Sequence, residues 1–121
     1  MAKIGWNDFI GKYTNRIAFV ATVSASLPKG LAYDRNGRKL PTPCSLFTEW
    51  CKAYLAGDWA TTKINGGFLL CVSSTEDAKA IQDEFKIVGQ AKRTQAGKDT
   101  HPIGYKDSQY AALAGDLGYV L

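Results

Sequence analysis

The chain has 121 residues, of which 45% are hydrophobic, and a formal net charge of +4. This size and composition exclude a disordered protein and predict one domain over residues 1–121. The sequence has no apolar run of about eighteen residues, no signal-peptide core and three cysteines without CxxC spacing, so it predicts a cytoplasmic protein that has no membrane partner.

The first third of the chain contains one helix signal, one strand signal and one turn signal. Residues 6–13 place large apolar side chains at helical spacing, which predicts an N-terminal helix with one apolar face. Residues 16–24 are apolar at both alternations, as in a central strand. Residues 27–43 are rich in Pro and Gly, and Asn36-Gly37 within them predicts a protruding hairpin near 28–41.

The middle of the chain has the clearest helix signals. Thr42 and Pro43 suit the start of a helix and Gly57 its end. Residues 59–74 then predict two strands joined at Asn65-Gly66, a pair that type I′ hairpin turns prefer. Ser73 or Ser74 can cap the helix that follows, in which the acidic residues are interpreted as capping and solvated positions, namely Glu76, Asp77, Asp83 and Glu84.

The last third predicts a short strand over 87–93, a polar loop over 94–110, and a helix that leads into a terminal strand ending at Leu121. The order of all elements favours an α+β fold of the ferredoxin-like (split βαβ) type. The predicted sheet has four antiparallel strands, and the additions to it are an N-terminal helix, the hairpin insertion near 28–41 and a C-terminal helix-strand.

His101 is the only histidine in the chain. Its position in the predicted polar loop favours a solvated residue without a chemical role. One enzymatic alternative stays open, a small metal-independent ribonuclease in which His101 acts as acid or base beside Lys98, Arg93 and Tyr105. The segment "AGKDT" departs from the phosphate-binding loop on both sides, and one histidine excludes a multi-histidine metal site. We therefore predict no catalytic residue, no metal and no cofactor.

Basic residues are unevenly distributed, with seven Lys and Arg against two Asp in residues 1–42 and three against six acidic residues in 43–85. Basic groups interleaved with an aromatic ring can hold phosphates while the ring stacks on a base. The sequence therefore favours a non-enzymatic protein that binds nucleic acid, preferably RNA, or a ribonucleoprotein. The candidate contacts are Lys29, Tyr33, Arg35, Arg38, Lys39, Lys92, Arg93 and Lys98.

A second class of function fits the same sequence. Small proteins without motifs include inhibitors and adaptors that block another protein, among them phage- or mobile-element-type proteins with anti-defence or toxin-neutralising roles. Such a protein would present the 28–41 segment or an open sheet edge to an acidic protein surface. The same kind of edge would also allow a homodimer.

Overall fold

The computed structural model of the protein describes residues 3–14, 16–22, 33–106 and 109–120. Within these ranges four helices and six strands follow one another, so the predicted mixed α+β fold is confirmed. The elements in chain order are α1 (Trp6–Lys12), β1 (Ile17–Thr22), α2 (Pro43–Tyr54), β2 (Trp59–Ile64), β3 (Gly67–Val72), α3 (Thr75–Glu84), β4 (Lys86–Ile87), β5 (Lys92–Thr94), β6 (Gly97–Gly104) and α4 (Gln109–Asp116).

The strands form one six-stranded sheet in the order β2-β3-β1-β6-β4, and β5 also pairs with β6. Four of the pairings are antiparallel, whereas β1 and β6 are parallel. The sheet therefore differs from the predicted four antiparallel strands. In the ferredoxin-like order the strand after α3 would lie beside β1, but β6 occupies that place and β4 lies at the edge.

Residues 97–104 form a central strand, so the predicted polar loop over 94–110 is wrong for this part. The side chain of Thr100 is fully buried. Its hydroxyl can be buried because it forms hydrogen bonds with the Thr94 hydroxyl at 2.7 Å and the Gly97 carbonyl oxygen at 3.0 Å. Ile103 packs into the main core. The polar group of Thr100 thus finds its hydrogen-bond partners nearby in the chain. The polarity of the sequence alone does not reveal such partners.

Pro102 explains why the predicted strand 87–93 is divided into β4 and β5. The carbonyl oxygen of Pro102 accepts a hydrogen bond from the Val88 N–H at 2.9 Å. In a strand, the N–H and C=O of one residue point to the same side. Proline has no N–H, so at Pro102 it is the edge strand that loses a hydrogen-bond donor. The edge strand is interrupted between Ile87 and Lys92, opposite this position.

The two-residue turn at Asn65-Gly66 is confirmed, because Ile64 lies opposite Gly67 in the β2–β3 register. Gly66 has a φ of +82°, and Asp99 is the only non-glycine residue with positive φ among those the structure describes. Asn65 therefore keeps a negative φ, and the turn is not of type I′. Positive φ at the second central residue alone is typical of a type II turn.

The two faces of the sheet carry separate cores. Helices α2 and α3 cover one face, where the buried residues include Phe19, Phe47, Trp50, Phe68 and Phe85. Alternate strand residues such as Ala18 and Leu69 face the other side and pack with Phe9 of the short N-terminal helix α1. The predicted N-terminal helix is thus confirmed.

The C-terminal helix α4 is also confirmed, and it packs on α2 through Tyr110 and Ala114. The predicted terminal strand is not found among the described residues, since Tyr119 and Val120 have no strand structure and Leu121 lies outside the described ranges. Instead the chain reverses after the helix at Gly118, which has a φ of +90°. This reversal brings the tail against the hairpin near residue 36.

Candidate functional site

A tight hairpin over residues 33–39 is built around the side chain of Asp34. Tyr33 and Lys39 form an antiparallel bridge, and the predicted Asn36-Gly37 turn lies between them. One carboxylate oxygen of Asp34 accepts hydrogen bonds from the N–H groups of Asn36 and Arg38, each at 2.9 Å. Aspartate commonly fixes turns in this way. The predicted hairpin near 28–41 is therefore present in its described part, while residues 28–32 lie outside it.

The hairpin is fastened to the C-terminal tail. The Arg35 N–H donates to the Val120 carbonyl oxygen at 3.1 Å, and the Arg38 guanidinium donates to the Gly118 carbonyl oxygen at 2.6 Å. The same guanidinium lies 4.1 Å from the centre of the Tyr119 ring. We call these contacts and those of Asp34 the hairpin clamp. Arg38, one of the predicted contact residues, is thus engaged in the clamp while it stays exposed.

The four predicted contact residues that the structure describes on this hairpin are all exposed, namely Tyr33, Arg35, Arg38 and Lys39. Tyr33 has 60% of its surface exposed. Residues opposite each other in an antiparallel bridge project to the same face, so Tyr33 and Lys39 form one surface.

The other predicted basic residues lie on a different part of the fold from the hairpin. Lys92 and Arg93 are exposed on β5, which pairs with β6. The turn between these strands is held by Arg16, whose Nε donates to the Ala96 carbonyl oxygen at 3.0 Å. The Lys98 backbone belongs to β6, but its side chain and all of Lys29 lie outside what the structure describes. The predicted residues therefore divide between the hairpin and the β5–β6 edge.

His101 lies in β6, half-buried, and not in a loop. It pairs with Phe19 of β1, and the two ring centres are 5.9 Å apart. Tyr105, which the ribonuclease alternative places beside it, stacks on Phe47 of α2 with ring centres 4.4 Å apart. The Tyr105 ring therefore belongs to the aromatic core, and this geometry does not favour a shared catalytic site.

The described cysteines have no nucleophilic character. Cys51 and Cys71 are free and buried. Burial raises the pKa of the Cys51 thiol to about 12 and that of Cys71 to about 11. Both groups therefore stay protonated near neutral pH, as packing residues do. The side chain of Cys44 is not described.

Within the described ranges, no three His, Cys, Asp or Glu side chains gather where they could hold a metal ion. No helix in those ranges is long and apolar enough to cross a membrane. Comparisons with models of known families, with curated proteins and with solved structures give no match. The structure itself shows a mixed α+β fold that presents a clamped basic hairpin with an exposed tyrosine.

Acid should loosen the hairpin clamp. Burial acts to raise the pKa of Asp34, but hydrogen bonds from the N–H groups of Arg38, Asn36 and Val120 outweigh it and hold the pKa below the ordinary value of 3.8. Because the pKa is lower in the folded chain than in the unfolded one, the stabilisation is complete above the ordinary value. It is lost as the pH falls through the folded-state pKa.

This prediction can be tested by following the amide NMR signals of Asn36 and Arg38 during an acid titration. We expect both signals to move together below the ordinary aspartate pKa, with a common midpoint. The same signals should stay constant in the Asp34→Asn variant, which has no proton to gain. Signals that respond equally in both proteins would show that another group controls the hairpin.

Proposed function

We propose that the protein is a small non-enzymatic nucleic-acid-binding protein, with RNA as the favoured ligand, and that the hairpin 33–39 is its main contact surface. The observation that supports this most is the exposed Tyr33 ring on the same face as Lys39, with Arg35 exposed at the turn. Within the part of the chain that the structure describes, the Tyr33 ring belongs to none of the core clusters.

The hairpin is pre-organised for binding. The hairpin clamp fixes the backbone of the turn before any ligand arrives, so binding has less conformational entropy to lose. An unpaired base can stack on Tyr33, an interaction worth about 1–3 kcal/mol per base in proteins that bind single strands. Arg35 and Lys39 can neutralise the neighbouring phosphates.

The β5–β6 edge extends this proposal. Lys92 and Arg93 are exposed on β5, and Lys86 is exposed on β4, which pairs with the same strand β6. No exposed aromatic ring accompanies them among the described residues. We assign them phosphate contacts that add affinity without base stacking. Lys29 and Lys98 stay candidates for the same role.

An acidic protein surface is the competing ligand for the hairpin, as the inhibitor or adaptor alternative would require. The position of Tyr33 favours RNA, because single-stranded bases provide the flat partners that an exposed ring can stack on. The ribonuclease alternative has less support, since His101 packs beside Phe19 while Tyr105 belongs to the aromatic core.

Binding of a labelled 12-nucleotide single-stranded RNA should be measured by fluorescence anisotropy over a range of salt concentrations. The Tyr33→Ala variant should bind more weakly by about 1–3 kcal/mol with an unchanged salt slope. The double variant Arg35→Ala/Lys39→Ala should reduce the log–log salt slope by about 1.4, because each phosphate contact to a single strand contributes about 0.7. Arg38 is left intact so that the hairpin clamp is preserved.

Lys79→Ala, at an exposed lysine on α3, is the matched control for a lost positive charge. It should leave the affinity for RNA nearly unchanged. Hairpin variants that behave like this control, or a wild-type chain that does not bind RNA even at low salt, would contradict the proposal. Stoichiometric recovery of an acidic protein that depends on Arg35 and Lys39 would favour the inhibitor or adaptor class instead.

A further inference from the structure

Among the described strands, β2 forms an edge of the sheet and pairs with β3 alone. The start of its outer side is covered, because the Ile4 N–H donates to the Trp59 carbonyl oxygen at 2.9 Å. Open sheet edges present unpaired backbone groups, and many proteins use them to bind an extended chain.

The register shows which backbone groups point outward. Ile64 and Gly67 flank the two-residue turn and form a hydrogen-bonded pair, and Thr62 follows in the same orientation towards β3. Thr61 and Lys63 therefore direct their N–H and C=O groups away from β3, as Trp59 does. Among the described residues, neither has a backbone partner on this outer side.

A groove of about 610 Å³ lies between this edge and the first half of α2. Its lining is rich in hydroxyl groups, and the described lining residues include no carboxylate. Two exposed lysines line it, Lys3 beside the start of β2 and Lys63 near its end. The lining consists of Lys3, Thr42, Ser45, Thr48, Thr61, Thr62, Lys63 and Phe68.

We propose that this edge binds an extended acidic peptide segment of a partner protein by strand addition. The backbone groups of Thr61 and Lys63 would pair with the peptide, and the ammonium groups of Lys3 and Lys63 would attract its acidic side chains. This is a second binding surface with a ligand different from the one proposed for the hairpin.

The edge fits a second copy of the chain less well. Because Ile4 covers Trp59, a symmetric antiparallel pairing would rest on Thr61 and Lys63 alone. That pairing would also place the Lys63 side chains of the two copies in neighbouring positions on one face, where like charges repel. An acidic peptide brings the opposite charge to the same place.

The probe is an eight-residue peptide of alternating valine and glutamate, titrated into the full chain and followed by amide NMR. We expect the Thr61 and Lys63 signals to shift and their hydrogen exchange to slow. The Thr62 amide, which already faces β3, should keep its protection. A matched peptide of alternating valine and lysine should bind at least tenfold more weakly, and Lys63→Glu should reverse this preference.

Thr61→Pro removes an outward donor that β3 does not use, so the hairpin should fold and peptide affinity should fall at least tenfold. A valine–glutamate peptide N-methylated at every residue tests the same bonds in the unchanged protein and should not bind. Unchanged Thr61 and Lys63 signals at about 1 mM peptide, a weak limit for specific binding, would overturn the proposal. Equal affinity for the lysine peptide, or protection of these amides by dimerisation without peptide, would overturn it too.

Discussion

Replacing Phe47 with alanine should lower the free energy of unfolding by about 3–5 kcal/mol, the usual loss for a buried phenylalanine. The Phe47 side chain is 1% exposed and lies at the centre of an aromatic cluster. Its ring centre is 4.3 Å from that of Phe85, 4.4 Å from Tyr105 and 5.8 Å from Phe68.

The expected loss is large because these four rings come from distant parts of the chain. Phe47 belongs to α2 and Phe68 to β3, while Phe85 follows α3 and Tyr105 follows β6. Truncating Phe47 removes contacts to each of the other three elements and leaves a cavity that a close-packed core cannot readily fill. The variant tests whether the sheet and helices share one cooperative core.

Urea unfolding followed by tryptophan fluorescence measures this effect, and the dependence on urea should keep its slope if unfolding stays two-state. Tyr54→Ala is the matched control, because Tyr54 lies on the same helix with 66% of its surface exposed. It should change the unfolding free energy by less than about 1 kcal/mol. A Phe47→Ala variant as stable as this control would show that the cluster contributes little.

Local patterns in the sequence were sufficient to predict where two helices begin and where one hairpin turns. The Thr42 hydroxyl accepts the Ser45 N–H at 3.1 Å, and the Ser74 hydroxyl accepts the Asp77 N–H at 3.1 Å, so both predicted caps are confirmed. The turn at Asn65-Gly66 is likewise set by neighbouring residues. These interactions span only a few residues, which is why the residue pattern reveals them.

The sequence could not reveal β6 as a central strand, because its neighbour β1 is distant in the chain. His101 lies opposite Phe19, so this pairing joins two residues that are far apart along the chain. Pro102 also argues against a central strand by the usual rule. Here the edge strand facing it is interrupted, so no pairing depends on the missing donor at that point.

The candidate site was predicted in part. Composition identified the hairpin region as protruding and basic, and Tyr33, Arg35 and Lys39 are exposed there. The role of Arg38 could not be predicted, since its carbonyl partner Gly118 is 80 residues away along the chain. Both arginines of the hairpin are exposed, and only the folded chain shows that the Arg38 guanidinium contacts the tail.

The role of Asp77 also could not be predicted from the sequence. Its replacement is the second substitution for which we expect a large loss of stability. The sequence places it in the first turn of a helix, where a solvated carboxylate is common, but it is 3% exposed. One of its oxygens accepts the Ala56 N–H at 3.0 Å, and the other accepts the Gly57 N–H at 2.8 Å. The side chain therefore joins the start of α3 to the segment between α2 and β2.

Asp77→Ala should lower the free energy of unfolding by about 2–4 kcal/mol. The substitution leaves two N–H groups without their acceptor, and hydrogen bonds to a charged group contribute about 1.5–3 kcal/mol each before the surroundings relax. Asp77→Asn keeps one acceptor oxygen and should lose a smaller part of this stability.

Asp83→Ala is the matched control, because Asp83 lies exposed on the same helix and carries the same charge. Urea unfolding of the three variants separates the two partly buried hydrogen bonds from the loss of a carboxylate in general. Equal stability of Asp77→Ala and Asp83→Ala would show that the bonds to Ala56 and Gly57 add nothing. Since Asp77 is not part of the hairpin clamp, the folded Asp77→Ala protein should retain the RNA affinity of the wild type.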